Sequence, residues 1–466
     1  LTDYTGAAFE LDYLCVSAEN GAIKADRLYH TPGANPIQLP EFLRLATLWP
    51  PLPAQRTDAM PSTIGLFRGE STEYLLAKAQ QGANGAPYFQ YVLMPSAPLR
   101  QLAGNVRWFD SFARLPIPVG EPLQADLPRQ VFSEMLPVSV DTQIDDLLAL
   151  LTFCRNRVQI VGGLVAALVQ RTGIGIVNAP LSLVDRLTFI QGLLTLLPAP
   201  LRSGITFATS VLDPARTNAQ IKFLASDSAR PANHLIYDWP AGKLIGDVPD
   251  DIYTNFIISQ FRLDPALAVE QTRALERTAA WRMSRKDELP SALAWAARRA
   301  SLDSALKNGL AGDPVMVAEV LGDDPSLTND VRLMYARYML NVTLSLNEPE
   351  RGDSLADNCT RYSFVADMVA NELLNAVIDP GRSEAVIALL TRWLTANPNF
   401  DLGNVRWPSL LSSAMLTHAQ PIVDSGDPEA IRTLLETYLA LSPTMRLDRA
   451  IAQLIGSSRR AAFSDP

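Results

Sequence analysis

Histidine is nearly absent from this chain. Its 466 residues include three, His30, His234 and His418. None has a second His or a Cys at zinc-ligand spacing, and no His-Glu-x-x-His occurs, so no metal site is expected. Cysteine is as scarce. Cys15, Cys154 and Cys359 are odd in number and far apart. That pattern argues against a disulfide framework, fits a reducing, cytoplasmic compartment, and predicts three free buried thiols. A Ser or Cys nucleophile would need one of the three histidines as its base, and no Gly-x-Ser-x-Gly elbow is present. The chain starts at Leu1, which leaves open a targeting segment ahead of it.

Phosphate loops are missing too. The only Gly-Lys pair, Gly242-Lys243, is followed by Leu244, not by Ser or Thr. Gly173-Ile174-Gly175 imitates the opening of a dinucleotide fingerprint, but Asn178 stands where the third glycine belongs, and the glycines are read as a turn ahead of a strand. No cofactor is expected. Positive charge is in deficit, with 40 Lys+Arg against 49 Asp+Glu, which disfavours non-specific nucleic-acid binding. Long apolar runs are lacking as well. The longest, Val158 to Val169, falls short of the roughly 20 residues a membrane helix needs.

What the chain has is apolar mass and proline. Hydrophobic residues make up 48 %, enough for several cores at this length. Of 34 prolines, 15 fall before residue 141, so that region is not mostly long helices. Three regions follow: a β-rich α+β domain over 1–140, an α/β domain over 141–264 and a helical domain over 265–466. The expected fold class is α/β or α+β, then all-α. In the first region 9–16, 62–67 and 89–94 read as strands, Tyr74 to Gln81 as a short helix, 32–61 as loop and 116–137 as connector. In the second, Thr142–Phe153, Leu164–Gln170, Leu181–Leu197 and Asp251–Phe261 read as helices. Residues 158–161, 174–177, 205–209, 220–224 and 234–237 read as strands of an α/β layer with an antiparallel portion after 204. The pairs Asp145-Asp146, Asp250-Asp251 and Asp323-Asp324 read as helix starts, favoured there by the macrodipole.

The third region contains a weak repeat. Leu389 to Pro398 matches Leu434 to Pro443 at an offset of 45, each copy preceded by Asp-Pro, at Asp379-Pro380 and Asp427-Pro428. A HEAT-like array and an irregular bundle both fit. This region opens with a basic cluster: Arg273, Arg277, Arg282, Arg285, Lys286, Arg298 and Arg299, with Trp281 and Trp295 interleaved. It reads either as a solvated helix face with tryptophans turned inward or as a docking surface for a protein partner, since Arg and Trp are enriched at hot spots.

Leu193-Leu194-Thr195-Leu196-Leu197-Pro198, followed by Leu201-Arg202 and then Phe207-Ala208-Thr209, resembles the middle domain of the bacterial GTPase-associated protein family. Tyr88 to Pro95 is similar to that family's N-terminal strand, with Gln90 or Tyr91 where a histidine is expected. The resemblance touches about half the chain. It implies a β-rich N-terminal part, this middle domain and a helical C-terminal part, in a protein acting beside small Ras-like GTPases in signalling or conflict systems. None of its motifs is catalytic. The leading expectation is a non-catalytic adaptor or regulator in a bacterial multi-protein system. The alternatives are a hydrolase-type enzyme with a site assembled from distant residues, and a scaffolding subunit.

Overall fold

The computed structural model describes residues 3–19, 22–23, 28–48, 61–82, 86–102, 104–117, 129–225, 231, 233–325, 327–397, 400, 402, 407–445 and 447–462. The chain forms two compact units, Leu1–Arg298 and Arg299–Pro466.

Among the described residues, the strands lie in the first unit. They are β1 (Asp3–Leu11), β2 (Tyr13–Glu19), β3 (Ala22–Ile23), β4 (Tyr29–His30), β5 (Thr63–Arg68), β6 (Tyr74–Gln81), β7 (Pro87–Met94), β8 (Gln130–Val138), β9 (Gly173–Val177), β10 (Phe207–Val211), β11 (Ile221–Leu224), β12 (His234–Asp238) and β13 (Lys243–Ile245). Its helices are α1 (Leu39–Leu45), α2 (Ser96–Gln101), α3 (Trp108–Arg114), α4 (Val140–Phe153), α5 (Val158–Val169), α6 (Leu183–Thr195), α7 (Ala199–Arg202), α8 (Ile252–Leu263), α9 (Pro265–Ser284) and the first half of α10 (Leu289–Lys307).

β1 and β8 pair as a two-stranded antiparallel ribbon. The other strands form one sheet, in the order β13-β12-β9-β11-β10-β5-β6-β7-β2-β3, with β4 on β2. The sheet therefore crosses residue 140, where the composition suggests a boundary. At the seam β10 lies antiparallel to β5, and Thr209 Oγ1 both accepts from Ile64 N and donates to Ile64 O, at 2.9 and 3.0 Å. Beyond the seam the strands are mostly parallel: β10 with β11, and β11 and β12 with β9. The antiparallel portion expected after residue 204 consists of β10 on β5 and β13 on β12.

Three local expectations are corrected. Tyr74 to Gln81 is not a helix but β6. Its Leu, Ala, Lys and Gln favour helix, yet it lies between β5 and β7 with Tyr74 to Ala79 buried, and tertiary pairing overrides propensity. Val158 to Val169 is one helix, not a strand and a helix. Nine of its twelve residues are buried, and an apolar run buried nearly all round carries no period to separate the two. Gly173 and Gly175 lie inside β9, not in a turn before it. A Cβ on Gly173 would fall 2.3 Å from the His234 ring, so glycine here admits a side chain from the next strand.

The core cluster around Leu14, Phe42, Phe67, Leu75 and Tyr91 fills the β-rich half. In the parallel half, Phe189 of α6 packs on Phe223 and Tyr237. Gly192 lets α6 lie close to α4, since a Cβ there would meet Leu150 Cβ at 2.6 Å and Asp146 O at 2.8 Å. α9 packs against α4 and α8, so the helices after residue 264 begin within the first unit.

The second unit is helical: the rest of α10, then α11 (Pro314–Asp323), α12 (Asn329–Leu346), α13 (Asp353–Arg361), α14 (Ser363–Val377), α15 (Pro380–Ala396), α16 (Trp407–Asp424), α17 (Pro428–Met445) and α18 (Asp448–Ala462). Contacts from α11 to α18 run mainly between neighbours and next-neighbours in sequence, as in stacked helical hairpins. The two repeat copies fall on α15 and α17. Their Asp-Pro pairs start the helices: Asp379 Oδ1 accepts from Gly381 N at 2.9 Å and Asp427 Oδ1 from Glu429 N at 3.1 Å, with proline at the first helical position. The second copy does not end at its proline, because α17 continues through Pro443 to Met445. Of the three aspartate pairs, only Asp250-Asp251 opens a helix, with Asp251 as the cap of α8. Asp145-Asp146 lies inside α4, and Asp323-Asp324 closes α11.

Candidate functional site

The basic cluster maps to the α9–α10 hairpin. Asp264 caps α9, accepting from Ala266 N at 2.8 Å, and Pro265 supplies its first residue. Ala268, Val269, Thr272, Leu275, Thr278 and Ala279 are the buried stripe, so the opposite face carries Arg273 and Arg277 into solvent. The helix stops at Arg285, and Lys286 turns the chain with φ 71°.

The hairpin is locked by a ladder of arginine and tryptophan. Trp281 and Trp295 meet edge to face at 5.4 Å. The Arg282 guanidinium lies 5.6 Å from one ring and 4.9 Å from the other. Its Nε donates to Asp287 Oδ2 at 2.5 Å. Arg285 covers the Trp281 ring at 5.4 Å. Cation–π contacts of this kind contribute about 0.5–2 kcal/mol each.

The nine sequence-selected residues therefore divide. Trp295 is buried, Trp281 and Arg282 are half-buried, and these three build the hairpin. Arg273 is exposed but donates to Gln143 Oε1 at 2.8 Å, tying α9 to α4. Arg299 belongs to the second unit, where it is buried and paired with Asp324. Arg277, Arg285, Lys286 and Arg298 are the exposed basic groups.

Several titratable groups in the interior escape sequence reasoning. Lys78 is wholly buried. Its Nζ donates to Phe112 O at 3.0 Å and to Leu115 O, carbonyls at the C-terminal end of α3, where a cation complements the macrodipole. Burial lowers Lys78 to about 8. Asp146 of α4 is buried and pairs with Arg107. Burial pushes its carboxyl up to about 6, against the Arg107 charge, which pulls it down. Lys222 Nζ lies 3.0 Å from His234 Nε2 across the glycine gap in β9. Burial and then Lys222 lower His234. The three cysteines are buried and free. Burial raises each thiol, to about 12 for Cys154 and Cys359, which leaves them protonated and inert near neutrality. Among the described residues no three His, Cys, Asp or Glu side chains group to hold a metal ion. No single described helix is long and apolar enough to cross a membrane.

Compared with protein-family models and with curated proteins, the chain has no match.

Proposed function

We propose that this chain is a non-catalytic, protein-binding adaptor or regulator of a bacterial multi-protein signalling or conflict system, working in the cytoplasm beside a small Ras-like GTPase. The observation that carries the reading is the α9–α10 tip. Arg285 and Lys286 are exposed there on a turn whose geometry is locked by Trp281, Arg282, Trp295 and Asp287. A rigid basic tip loses little entropy on docking and suits an acidic protein surface. The resemblance of 193–209 to GTPase-associated proteins supplies the partner class.

The test is charge reversal at the tip. Arg285→Glu with Lys286→Asp leaves the indole pair in place, and aspartate tolerates the left-handed turn better than most residues. Binding to the GTPase should weaken about tenfold at low salt, while stability falls only by the loss of the exposed Arg285–Trp281 contact, about 0.5–1 kcal/mol. Undiminished binding would reduce the hairpin to a solvated edge.

A further inference from the structure

The run Arg282-Met283-Ser284-Arg285-Lys286 closes α9. Its last four residues are all exposed. Ser284 Oγ donates to Trp281 O at 2.7 Å, one of the carbonyls a helix leaves open at its end. Past Ser284 the backbone is held by Arg285 N to Arg282 O and Lys286 N to Met283 O, each 3.0 Å, before it turns at Lys286. Bonds at a helix end open at a small fraction of the global unfolding cost. Ser284 is therefore a hydroxyl in solvent that brief opening of the last α9 bonds presents to a modifying enzyme.

Cations stand on both sides of it. Arg282 precedes Ser284 by two residues, and Arg285 and Lys286 follow directly. Arg282 is neutralised by Asp287 at 2.5 Å. Arg285 and Lys286 are exposed and make the tip basic. A serine set among cations suits a transferase with an acid-lined cleft. The sequence holds a second such serine, Ser301, behind Arg298-Arg299-Ala300. There Arg299 is buried on Asp324, and Ser301 lies inside α10 with more than one turn of helix on either side. The fold thus favours Ser284 over Ser301. A phosphate on Ser284 carries a charge of about −2, enough to offset Arg285 and Lys286. At the C-terminal end of α9 the macrodipole disfavours an anion, so these two cations are what hold it.

We propose that Ser284 is a phosphorylation site and that its phosphate cancels the positive charge of the hairpin tip. A serine/threonine kinase selective for basic residues transfers the γ-phosphoryl group of ATP. The bond from the γ-phosphorus to its bridging oxygen breaks as an Oγ–P bond forms on Ser284. ADP leaves, and the Ser284 hydroxyl proton passes to the kinase's base and then to water. Arg285 and Lys286 pair with the phosphate in place of an acidic partner. The effect on docking rests on the tip being the contact for a partner; the modification does not.

The full chain is incubated with ATP, magnesium and a serine/threonine kinase that selects basic residues on both sides of its target, and its phosphopeptides are mapped by mass spectrometry. A single phosphate on Ser284 is expected, absent in Ser284→Ala and unchanged in Ser301→Ala. In phosphorus NMR at low salt this phosphate should titrate below the ordinary second pKa of about 6 and return toward it as salt is added. The phosphorylated chain should bind a small Ras-like GTPase about tenfold more weakly at about 50 mM salt, as Arg285→Glu/Lys286→Asp does, and phosphatase should restore binding. If the unmodified chain fails to bind the GTPase while Ser284 is phosphorylated and its phosphate titrates low, the docking reading falls and the modification is supported. No phosphate on Ser284, phosphate on Ser301 alone, titration at the ordinary value, or undiminished binding by the phosphorylated chain would overturn the proposal.

Discussion

Among single residues, the buried charges are the most informative because their cost is set by what surrounds them. Asp146 faces Arg107, Asp145 and Arg202, and burial outweighs them, lifting its pKa from 3.8 to about 6. Between those values the folded chain holds a proton that the unfolded chain has released. The Asp146 contribution to stability therefore falls as pH rises through that window, by roughly 3 kcal/mol in all. Urea unfolding from about pH 4 to 7 should show this fall in wild type relative to Asp146→Asn, and parallel profiles would contradict it. In the second unit Arg299 donates to Asp324, which is fully buried. Tyr335 Oη donates to Asp303 at 2.5 Å, and Arg332 Nη1 to Asn358 Oδ1 at 2.8 Å. Removing Asp324 leaves buried Arg299 with the more distant Asp303 carboxylate at 3.8 Å. Asp324→Leu alone should cost roughly 3–5 kcal/mol, and the double variant with Arg299→Met markedly less. Additive losses in chemical denaturation would show that the two groups do not depend on each other.

Elements were legible where their signals are local. Asp-Pro starts four helices, at 264, 313, 379 and 427, with each aspartate accepting from the backbone two residues on. Replacing Asp379 by Ala leaves the Gly381 N–H unpaired and should cost about 1 kcal/mol by thermal unfolding, while Asp379→Asn retains most of it. A full loss in the Asn variant would point to charge rather than capping. The repeat copies on α15 and α17 correspond in their aromatic residues: Trp393 Nε1 donates to Gly352 O and Tyr438 Oη to Met415 O, each from a buried ring. Other elements depended on distant partners. β6 is a strand because β5 and β7 flank it, and α5 is a helix because α8 and β13 cover it. The glycines of β9 answer to His234 and Ile236 on the neighbouring strand. Strand direction after residue 204 was hidden for the same reason, since it is set by pairing with β9.

On the scale of the whole molecule, the change from strands to helices near residue 264 is visible in the sequence, but the compact units divide at Arg298 and Arg299. α9 belongs with the first unit through contacts such as Arg273 to Gln143, and residues that far apart leave no trace in local composition. The same limit shaped the candidate site. The Arg and Trp cluster was visible as a pattern, yet only packing separates Arg282, held between two indoles, from Arg285, exposed over the Trp281 ring, and from exposed Lys286. In the proposed function the hairpin tip is the contact for a protein partner. Biolayer interferometry between the full chain and a purified small Ras-like GTPase, at about 50 and about 500 mM salt, tests this. Saturable binding is expected, weakening steeply with salt and about tenfold in Arg285→Glu/Lys286→Asp. No binding, or binding indifferent to both salt and the tip variant, would contradict it.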